Sequence, residues 1–383
     1  MYTGNSAVAY IYFLTQIHMQ TCEKTKTLFV GVDVHKDTHT AVGLSPFGEK
    51  LFELTIGNYP QDFAELAKKV NSTAHNENLS PRIGLEDCQG FGQRLASYLN
   101  EAGYSVNHVP PILVDHKRKK AAHPEKNDSL DARGVAEVMI QKVDTLPIHK
   151  ITQDSQIAKD IQELSLDREY LVKEQTRLKN QLHLLLHRIW NTEYREKFKD
   201  PFYVKALKYW KKSVPRNTSS FLAKNMKRKV KKLENLRLEI KELETDMETL
   251  IKKSGHTIHT ANGCGIVLAA MIIGETGDIS RFKSPAALAK YAGCAPREHS
   301  SGKTHRHRKT RGGNRRLNCA FHRLALTQIS RMGNEKARKY FLRKISEGKS
   351  KAQALVCLRR QMINIVWMMM KHKTDYNLQK KLT

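Results

Sequence analysis

The sequence predicts an α/β domain followed by mainly helical regions, and three patterns support this fold class. Short β-rich runs and amphipathic segments fill residues 27–150, leucine heptads run through 151–255, and a small, mainly helical region occupies 256–383. Strands that come first and then alternate with helices are typical of a mixed α/β layer. Residues 1–26 show no usable periodicity and are interpreted as a loose N-terminal tail.

The first domain contains five predicted strands and three predicted helices. The strands cover 28–32, 40–44, 51–56, 82–85 and 104–109, and the helices cover 63–70, 91–102 and 128–141. Gly103 is the expected C′ residue of the second helix, because glycine readily adopts the left-handed conformation that ends helices. Pro110 and Pro111 stop the fifth strand.

Apolar residues recur in alternating steps of four and three over 157–189 and again over 233–250. This spacing is a heptad seam, and Arg168 and Gln175 interrupt the first one. The first seam would extend about 50 Å as a helix. Two arrangements fit: an antiparallel helical hairpin within one chain, or a long coiled coil that joins two chains. A last helix is predicted over 351–371.

The charge indicates a polyanionic partner, nucleic acid first and a membrane surface second. The 383 residues include 66 Lys and Arg against 38 Asp and Glu, a net charge of +28, while 40% of residues are apolar, enough for a packed core. Residues 27–150 hold 14 Lys and Arg against 16 Asp and Glu, so 151–383 carry +29. The polyanion is therefore expected to meet the C-terminal two-thirds of the chain.

Several protein classes do not fit. The longest apolar stretch, 363–370, is far shorter than the ~20 residues that cross a bilayer. The apolar patch over 7–14 lacks the preceding Lys or Arg of a signal peptide. Six scattered cysteines without a C-x-x-C pair argue against a disulfide scaffold or zinc ribbon. We therefore expect a cytoplasmic protein without membrane association.

Four carboxylates stand where a metal site could form. Asp33 and Glu86 each follow a predicted strand, and Asp128 and Asp131 share one face at the start of a helix. If the two strands are neighbours, the four can converge and bind Mg²⁺ or Mn²⁺, which prefer oxygen ligands. Two such ions can clamp a phosphodiester. Alternatively Asp128 only caps its helix and the others are surface charges, and spacing alone does not separate these interpretations.

The C-terminal region carries two further signals. Gly263 and Gly265 flank Cys264 before an apolar helix over 266–273, so this turn either offers backbone N–H groups to phosphate or simply connects helices. A basic run without acids follows, and such runs are disordered or bind phosphate. Its seven cations are Lys303, Arg306, Arg308, Lys309, Arg311, Arg315 and Arg316.

Three motifs occur in order: Gly31-Val32-Asp33-Val34-His35-Lys36, then Leu85-Glu86, then Lys126-Asn127-Asp128-Ser129-Leu130-Asp131-Ala132-Arg133. Together they resemble the DEDD-type insertion-sequence transposases, now described as bridge-RNA-guided serine recombinases. The resemblance implies a RuvC-like (RNase H) fold for 27–150 and a metal site made by Asp33, Glu86, Asp128 and Asp131. The sequence departs from the family at Asp87, an extra carboxylate after the Glu, and at Asn127 and Asn262, where Thr and Pro are usual.

The resemblance covers about 27–345 and includes Tyr291-Ala292-Gly293-Cys294-Ala295-Pro296 followed by Ser300-Ser301-Gly302. In the family the serine directly before this glycine is the nucleophile, which implies Ser301, with Ser300 as the adjacent alternative. It also implies a covalent phosphoserine intermediate on DNA (element ends and target), a guide RNA, and a homo-oligomer, dimer or tetramer. Within the oligomer, Ser301 of one subunit would complete the acidic site of another.

Two other functions compete with this interpretation. A metal-dependent junction-resolving nuclease would use the four carboxylates without a serine nucleophile, and it would form no covalent protein–DNA adduct. A non-enzymatic coiled-coil protein that binds nucleic acid would be indifferent to Mg²⁺ and to changes at Asp33.

Overall fold

The structure is a computed structural model. It describes residues 24–88, 90–119, 125, 127–149, 152–301, 304–308, 312–330 and 333–376, with the backbone alone for 297–301 and 304–308. The chain forms two compact units that meet in sequence between residues 151 and 152. All but the last three residues of the predicted tail lie outside the described residues.

The first unit is built on a six-stranded mixed sheet. Its strands are β1 (Thr27–Val34), β2 (Thr38–Leu44), β3 (Lys50–Gly57), β4 (Ser80–Leu85), β5 (Ser105–His108) and β6 (Ile148–His149). They are ordered β3-β2-β1-β4-β5-β6; β1 to β3 are antiparallel, β1, β4 and β5 are parallel, and β6 is antiparallel to β5. The predicted fold class, a mixed sheet followed by helical regions, is confirmed.

Helices cover both faces of this sheet, which explains why β1 is an almost continuous apolar run rather than an alternating one. They are α1 (Pro60–Asn76), α2 (Gln93–Glu101), α3 (Pro111–Arg118) and α4 (Asp128–Lys142). Phe63 of α1 and Leu95 of α2 pack in one core with Val30 and Val32. On α4, Ala132 and Ala136 pack in a second cluster with Val42 and Leu44 of β2. Gly103, with φ of +87°, follows α2 as predicted.

The second unit is mainly helical. Its helices are α5 (Gln153–Trp190), α6 (Glu193–Lys197), α7 (Val204–Lys212), α8 (Ser220–Ser254), α9 (Ile266–Thr276), α10 (Pro285–Tyr291), α11 (Arg315–Ile329), α12 (Glu335–Ser346) and α13 (Lys351–His372). A two-stranded hairpin of β7 (Arg297–Ser301) and β8 (Thr304–Arg308) was not predicted. Among the described helices, none is both long enough and apolar enough to span a bilayer.

The two heptad seams pair with each other inside one chain. Helices α5 and α8 are antiparallel: Arg168 Nη2 lies 2.7 Å from Glu244 Oε1, and Lys232 Nζ lies 2.6 Å from Glu174 Oε1. Of the two arrangements left open by the sequence, the structure therefore contains the intrachain hairpin. Arg168 interrupts the apolar seam because its guanidinium reaches the carboxylate of Glu244 on the opposite helix.

Candidate active site

The acidic site of the first unit lies at the carboxyl end of β1. His35 Nε2 is 3.1 Å from Asp33 Oδ2 and 3.3 Å from Asp128 Oδ1, so this imidazole bridges two of the predicted carboxylates. Asp33 is 6% exposed, whereas His35 and Asp128 are open to solvent. Ligand atoms of these three residues all lie within 4.8 Å of one another, close enough to share one metal ion.

Two glycines bring α4 onto the sheet at this point. Gly31 and Gly84 are register partners on the parallel strands β1 and β4. A Cβ on Gly31 would stand 2.2 Å from the carbonyl oxygen of Ala132, and one on Gly84 would stand 2.1 Å from Met139 Sδ. Asp33 is two residues beyond Gly31 on the same face of β1, and Asp128 is one helical turn before Ala132. The close contact therefore places their carboxylates together.

Asp128 does not cap its helix. The N-cap of α4 is Asn127, whose Oδ1 accepts a hydrogen bond from Leu130 N at 2.7 Å. Asn127, at the position where the family usually has Thr, supplies the same capping oxygen. The Asp128 carboxylate is therefore available to His35 and to a ligand.

Asp131 is buried and engaged by a cation. Arg118 Nη1 donates to both its carboxylate oxygens, at 2.9 and 3.2 Å, and Arg118 Nη2 donates to Asp115 Oδ1 at 2.8 Å. A side chain held this way is well oriented, but its lone pairs are shared with the guanidinium. Asp131 still lies close enough to Asp33 to raise the pKa of that carboxyl group.

Glu86 follows β4 directly, beside Asp33. Val32 and Leu85 are register partners, so the next residues, Asp33 and Glu86, leave adjacent parallel strands at the same level. Such strands are about 4.8 Å apart. The extra carboxylate of Asp87 accepts hydrogen bonds from Gly90 N at 2.7 Å and Phe91 N at 3.1 Å, so it caps this loop. Among the described residues, the cluster whose ligand atoms lie within 4.8 Å of one another contains Asp33, His35 and Asp128 but neither Glu86 nor Asp131.

The electrostatics of the cluster suit a divalent cation. Burial raises the pKa of Asp33, His35 lowers it, and the neighbouring Asp131 and Asp128 carboxylates raise it again. Burial and the two neighbouring carboxylates thus destabilise the ionised form of Asp33, and His35 offsets only part of this effect. A bound divalent cation would supply compensating positive charge, and the carboxylate oxygens of Asp33 and Asp128 are donors that Mg²⁺ and Mn²⁺ prefer.

In the second unit, the β7–β8 hairpin carries the predicted nucleophile. Ser301 pairs with Thr304 and Ser300 with His305 in its antiparallel register, so Ser301 is the last residue of β7. The backbones of Arg306 and Arg308 lie in β8. The side chains of the hairpin strands are not among the described atoms, and Lys303, Lys309 and Arg311 lie outside the described residues.

The segments on either side of the hairpin are locked together. Asn314 N donates to Tyr291 O at 2.7 Å, and Asn318 Nδ2 donates to Ala292 O at 2.9 Å. A Cβ on Gly313, which has φ of +100°, would stand 2.6 Å from Gly293 N. Glycine is needed at 313 both for this contact and for its conformation.

A buried carboxylate anchors the end of this loop. Glu275 is 7% exposed; its Oε2 accepts from Asn314 Nδ2 at 2.6 Å and its Oε1 from Arg316 Nη1 at 2.7 Å. Arg316 Nη2 also lies 3.3 Å from Glu169 Oε2. Arg316, predicted to bind nucleic acid, is thus placed in ion pairs inside the unit, whereas the neighbouring Arg315 is exposed.

The Gly263–Gly265 turn opens helix α9. Gly263 has φ of +70°, and a Cβ there would stand 2.6 Å from Thr327 Oγ1. Gly265 is the N-cap of α9 without a side-chain cap and is exposed, with no atom near its Cβ position. The first N–H groups of α9 therefore have no side-chain cap, which fits both interpretations of this turn, an anion-binding turn and a simple connection between helices.

Comparison with known proteins finds a family match in each of the two units. Residues 30–191 match the DEDD transposase family of the IS110 type, described as Transposase, and residues 255–342 match the Transposase IS116/IS110/IS902 family. The chain is 26% identical to the insertion element IS116 uncharacterized 44.8 kDa protein of Streptomyces clavuligerus, covering 90% of this chain and 95% of that protein. It is 23% identical to the transposase for insertion sequence element IS1111A of Coxiella burnetii, covering 91% and 90%.

The chain belongs to the IS110/IS116 family of DEDD-type insertion-sequence transposases. It is also 22% identical to the pilin gene-inverting protein of Moraxella lacunata, over 91% of this chain and 97% of that protein. The family of this transposase, predicted from its motif order, is confirmed, and membership implies that it binds, cuts and rejoins DNA.

Sequence reasoning missed His35 as a member of the acidic cluster. The signal was its position two residues after Asp33, just beyond the end of β1 at Val34. The bridging position becomes visible only when α4 brings Asp128 to the other side of the imidazole.

Proposed function

We propose that this transposase cuts and rejoins DNA at the ends and target of an insertion sequence, using Ser301 as nucleophile and a divalent metal held by Asp33, Glu86, Asp128 and Asp131. The observation that carries the proposal is the clustering of Asp33, His35 and Asp128 at the end of β1, beside the strand end that bears Glu86. Family membership supplies the reaction class.

The residues of the acidic site fit a metal, and each has a task. A bound Mg²⁺ or Mn²⁺ would polarise the phosphodiester and stabilise the charge that develops on it. Asp33 is fixed by its burial, and the oxygens of Asp131 accept hydrogen bonds from Arg118, which would compete with a metal for them. His35 is within hydrogen-bond distance of both Asp33 and Asp128, so it can orient these carboxylates or hold a proton between them.

The proposed covalent step balances without an external energy source. The Ser301 hydroxyl loses its proton to a nearby base, and its oxygen forms a bond to phosphorus while the bond from phosphorus to one DNA strand breaks. The released strand oxygen takes up a proton. In the second step the hydroxyl of a recipient strand attacks the same phosphorus and returns Ser301 to its free form, so ATP is not required.

Two partners complete the proposal. We propose a structured guide RNA and a homo-oligomer, dimer or tetramer, because these accompany the motif string that the chain shares with its family. The +29 charge after residue 150 favours a large amount of bound nucleic acid. A relative named as a pilin gene-inverting protein is consistent with recombination between two DNA sites.

The test of the nucleophile uses two adjacent serines. The Ser301→Ala protein should form no covalent protein–DNA conjugate and no recombinant product when it is incubated with donor DNA, target DNA and guide RNA. The Ser300→Ala protein is the matched control and should keep at least part of both activities, since the family resemblance assigns the nucleophile to the serine directly before Gly302. Conjugates are read on a denaturing gel.

The outcome separates the alternatives. A conjugate that forms with Ser301→Ala but not with Ser300→Ala would identify Ser300, and not Ser301, as the nucleophile. DNA cleavage that needs Mg²⁺ but never forms a conjugate, even with the unaltered protein, would favour the metal-dependent nuclease. The Asp33→Asn protein tests the metal site and should lose strand transfer and Mg²⁺ binding while remaining folded.

A further inference from the structure

The far end of the α5–α8 hairpin is strongly basic, whereas the rest of the hairpin is not. Residues 191–232 contain 14 Lys and Arg against 3 Asp and Glu, while α5 contains six of each. Residues 233–254, the second half of α8, contain 4 Lys and Arg against 6 Asp and Glu. The positive charge is therefore concentrated at one end of a single structural element.

This end is folded around its own aromatic core. Trp210 is 1% exposed, its Nε1 donates to Pro201 O at 2.8 Å, and its ring centroid lies 4.8 Å from that of Trp190 and 5.3 Å from that of Phe198. Tyr194 is also fully buried. The aromatic residues that accompany the basic ones in sequence thus mostly form a core that holds α6 and α7 on the hairpin, and they are not free to stack on bases.

The cations on the outside form two stripes at helical spacing. Lys205, Lys208 and Lys212 share one face of α7, opposite the buried Ala206, Leu207 and Trp210. Exposed cations likewise recur along the first half of α8; they are Lys224, Lys227, Arg228 and Lys231. Each stripe extends about 10 Å along its helix axis.

The stripes differ from their neighbours in having no acidic partner. The adjacent Lys211 and Lys232 are paired with Glu234 and Glu174 at 2.9 and 2.6 Å. In the part of the chain that the structure describes, none of the seven stripe cations forms an ion pair. Unpaired, exposed like charges on rigid helices repel one another, and an external polyanion relieves that repulsion.

We propose that these two stripes, here called the distal basic surface, bind the phosphate backbone of duplex DNA independently of its sequence. The inference rests on the proposed function only in that the protein acts on DNA. Duplex DNA is favoured over an unpaired strand because six of the eight aromatic rings over 190–221 are buried or half-buried, and because lysines on a rigid helix contact phosphates without reading bases. Phe221, 71% exposed next to the α8 stripe, and Tyr203, 41% exposed next to the α7 stripe, are the rings that an unpaired base would use.

The experiment measures binding of a duplex of arbitrary sequence by fluorescence anisotropy at several salt concentrations. The full-length Ser301→Ala protein is used without metal, so that neither the nucleophile nor the acidic site affects the result. Lys205→Gln, Lys208→Gln and Lys212→Gln are combined in one test variant. The control combines the same change at three exposed lysines of the first unit, Lys26, Lys68 and Lys142.

The test variant should bind more weakly, and its plot of log K against log salt should be less steep by up to about 2.7, since each lost phosphate contact removes about 0.9. The control should keep the slope of the parent. If the test and control variants lost the same amount of DNA affinity, the loss would come from the change in net charge and not from a specific surface, and the proposal would be overturned. If Phe221→Ala abolished binding of single-stranded RNA while the lysine variant left duplex binding unchanged, the distal basic surface would bind an unpaired strand and not duplex DNA, and the proposal would be wrong.

Discussion

Replacing Gly31 with alanine should separate the Asp128 and Asp131 carboxylates of α4, the proposed metal ligands, from Asp33. The new Cβ would stand 2.2 Å from Ala132 O and 2.3 Å from Ala136 N, both main-chain atoms that cannot rotate away. Ordinary contact begins at 3.4 Å, so helix or strand must move by about 1 Å. Such overpacking costs about 1–3 kcal/mol. For a domain of this size the midpoint of thermal unfolding should fall by roughly 3–10 °C.

The same movement carries Asp128 and Asp131 away from Asp33, so Mn²⁺ should bind at least several-fold more weakly to Gly31→Ala in a calorimetric titration. Gly134→Ala is the matched control, because that Cβ meets only a methyl group of Val114 at 2.9 Å and alanine favours the helix by about 1 kcal/mol. Wild-type Mn²⁺ affinity in Gly31→Ala, with unchanged unfolding, would show that close packing of α4 does not build the site.

Three further results are expected. Arg118→Gln should tighten Mn²⁺ binding, because the guanidinium competes for the Asp131 oxygens; weaker binding in the same titration would instead give Arg118 an orienting role. Glu275→Gln should lower the free energy of unfolding in urea by about 2–4 kcal/mol, since it breaks a buried pair, and adding Arg316→Met should recover part of that loss. Burial raises the pKa of Cys264 to about 12, so this thiol should resist alkylation at pH 8 until the protein unfolds, as read by mass spectrometry of its peptide.

The sequence predicted five of the six described strands and three of the four described helices of the first unit because their signals are local, and it missed α3, which begins at the second of the two prolines, and the two-residue β6. Apolar runs mark β1 and β4, and a positive-φ glycine, Gly103, ends α2. The convergence of the acidic residues is not local. It depends on Gly31 and Gly84 being register partners under α4, and each glycine alone reads as an ordinary strand residue.

The second unit was harder to predict for two physical reasons. A heptad seam indicates that a helix packs against an apolar partner, but it does not identify that partner. The pairing of α5 with α8 is visible only in the structure, where Arg168 contacts Glu244, 76 positions away in sequence. The β7–β8 hairpin has no apolar alternation, since Arg297–Ser301 reads REHSS, so nothing in its own composition indicated strands.

The backbone of Ser301, the proposed nucleophile, therefore owes its position to the segments around the hairpin rather than to its own segment. The chain before the hairpin is fixed by the main-chain bond from Asn314 to Tyr291, and the chain after it by the contacts of Glu275 with Asn314 and Arg316. Backbone register then places Ser301 at the end of β7. The anchoring contacts belong to Tyr291, Glu275, Asn314 and Arg316, so we expect Ser301→Ala to abolish chemistry without disturbing the fold, whereas loss of the Glu275 carboxylate should reduce both. Ser301→Ala and Glu275→Gln are thus expected to differ in their effect on stability: the first should lose only activity, and the second should lose both activity and stability.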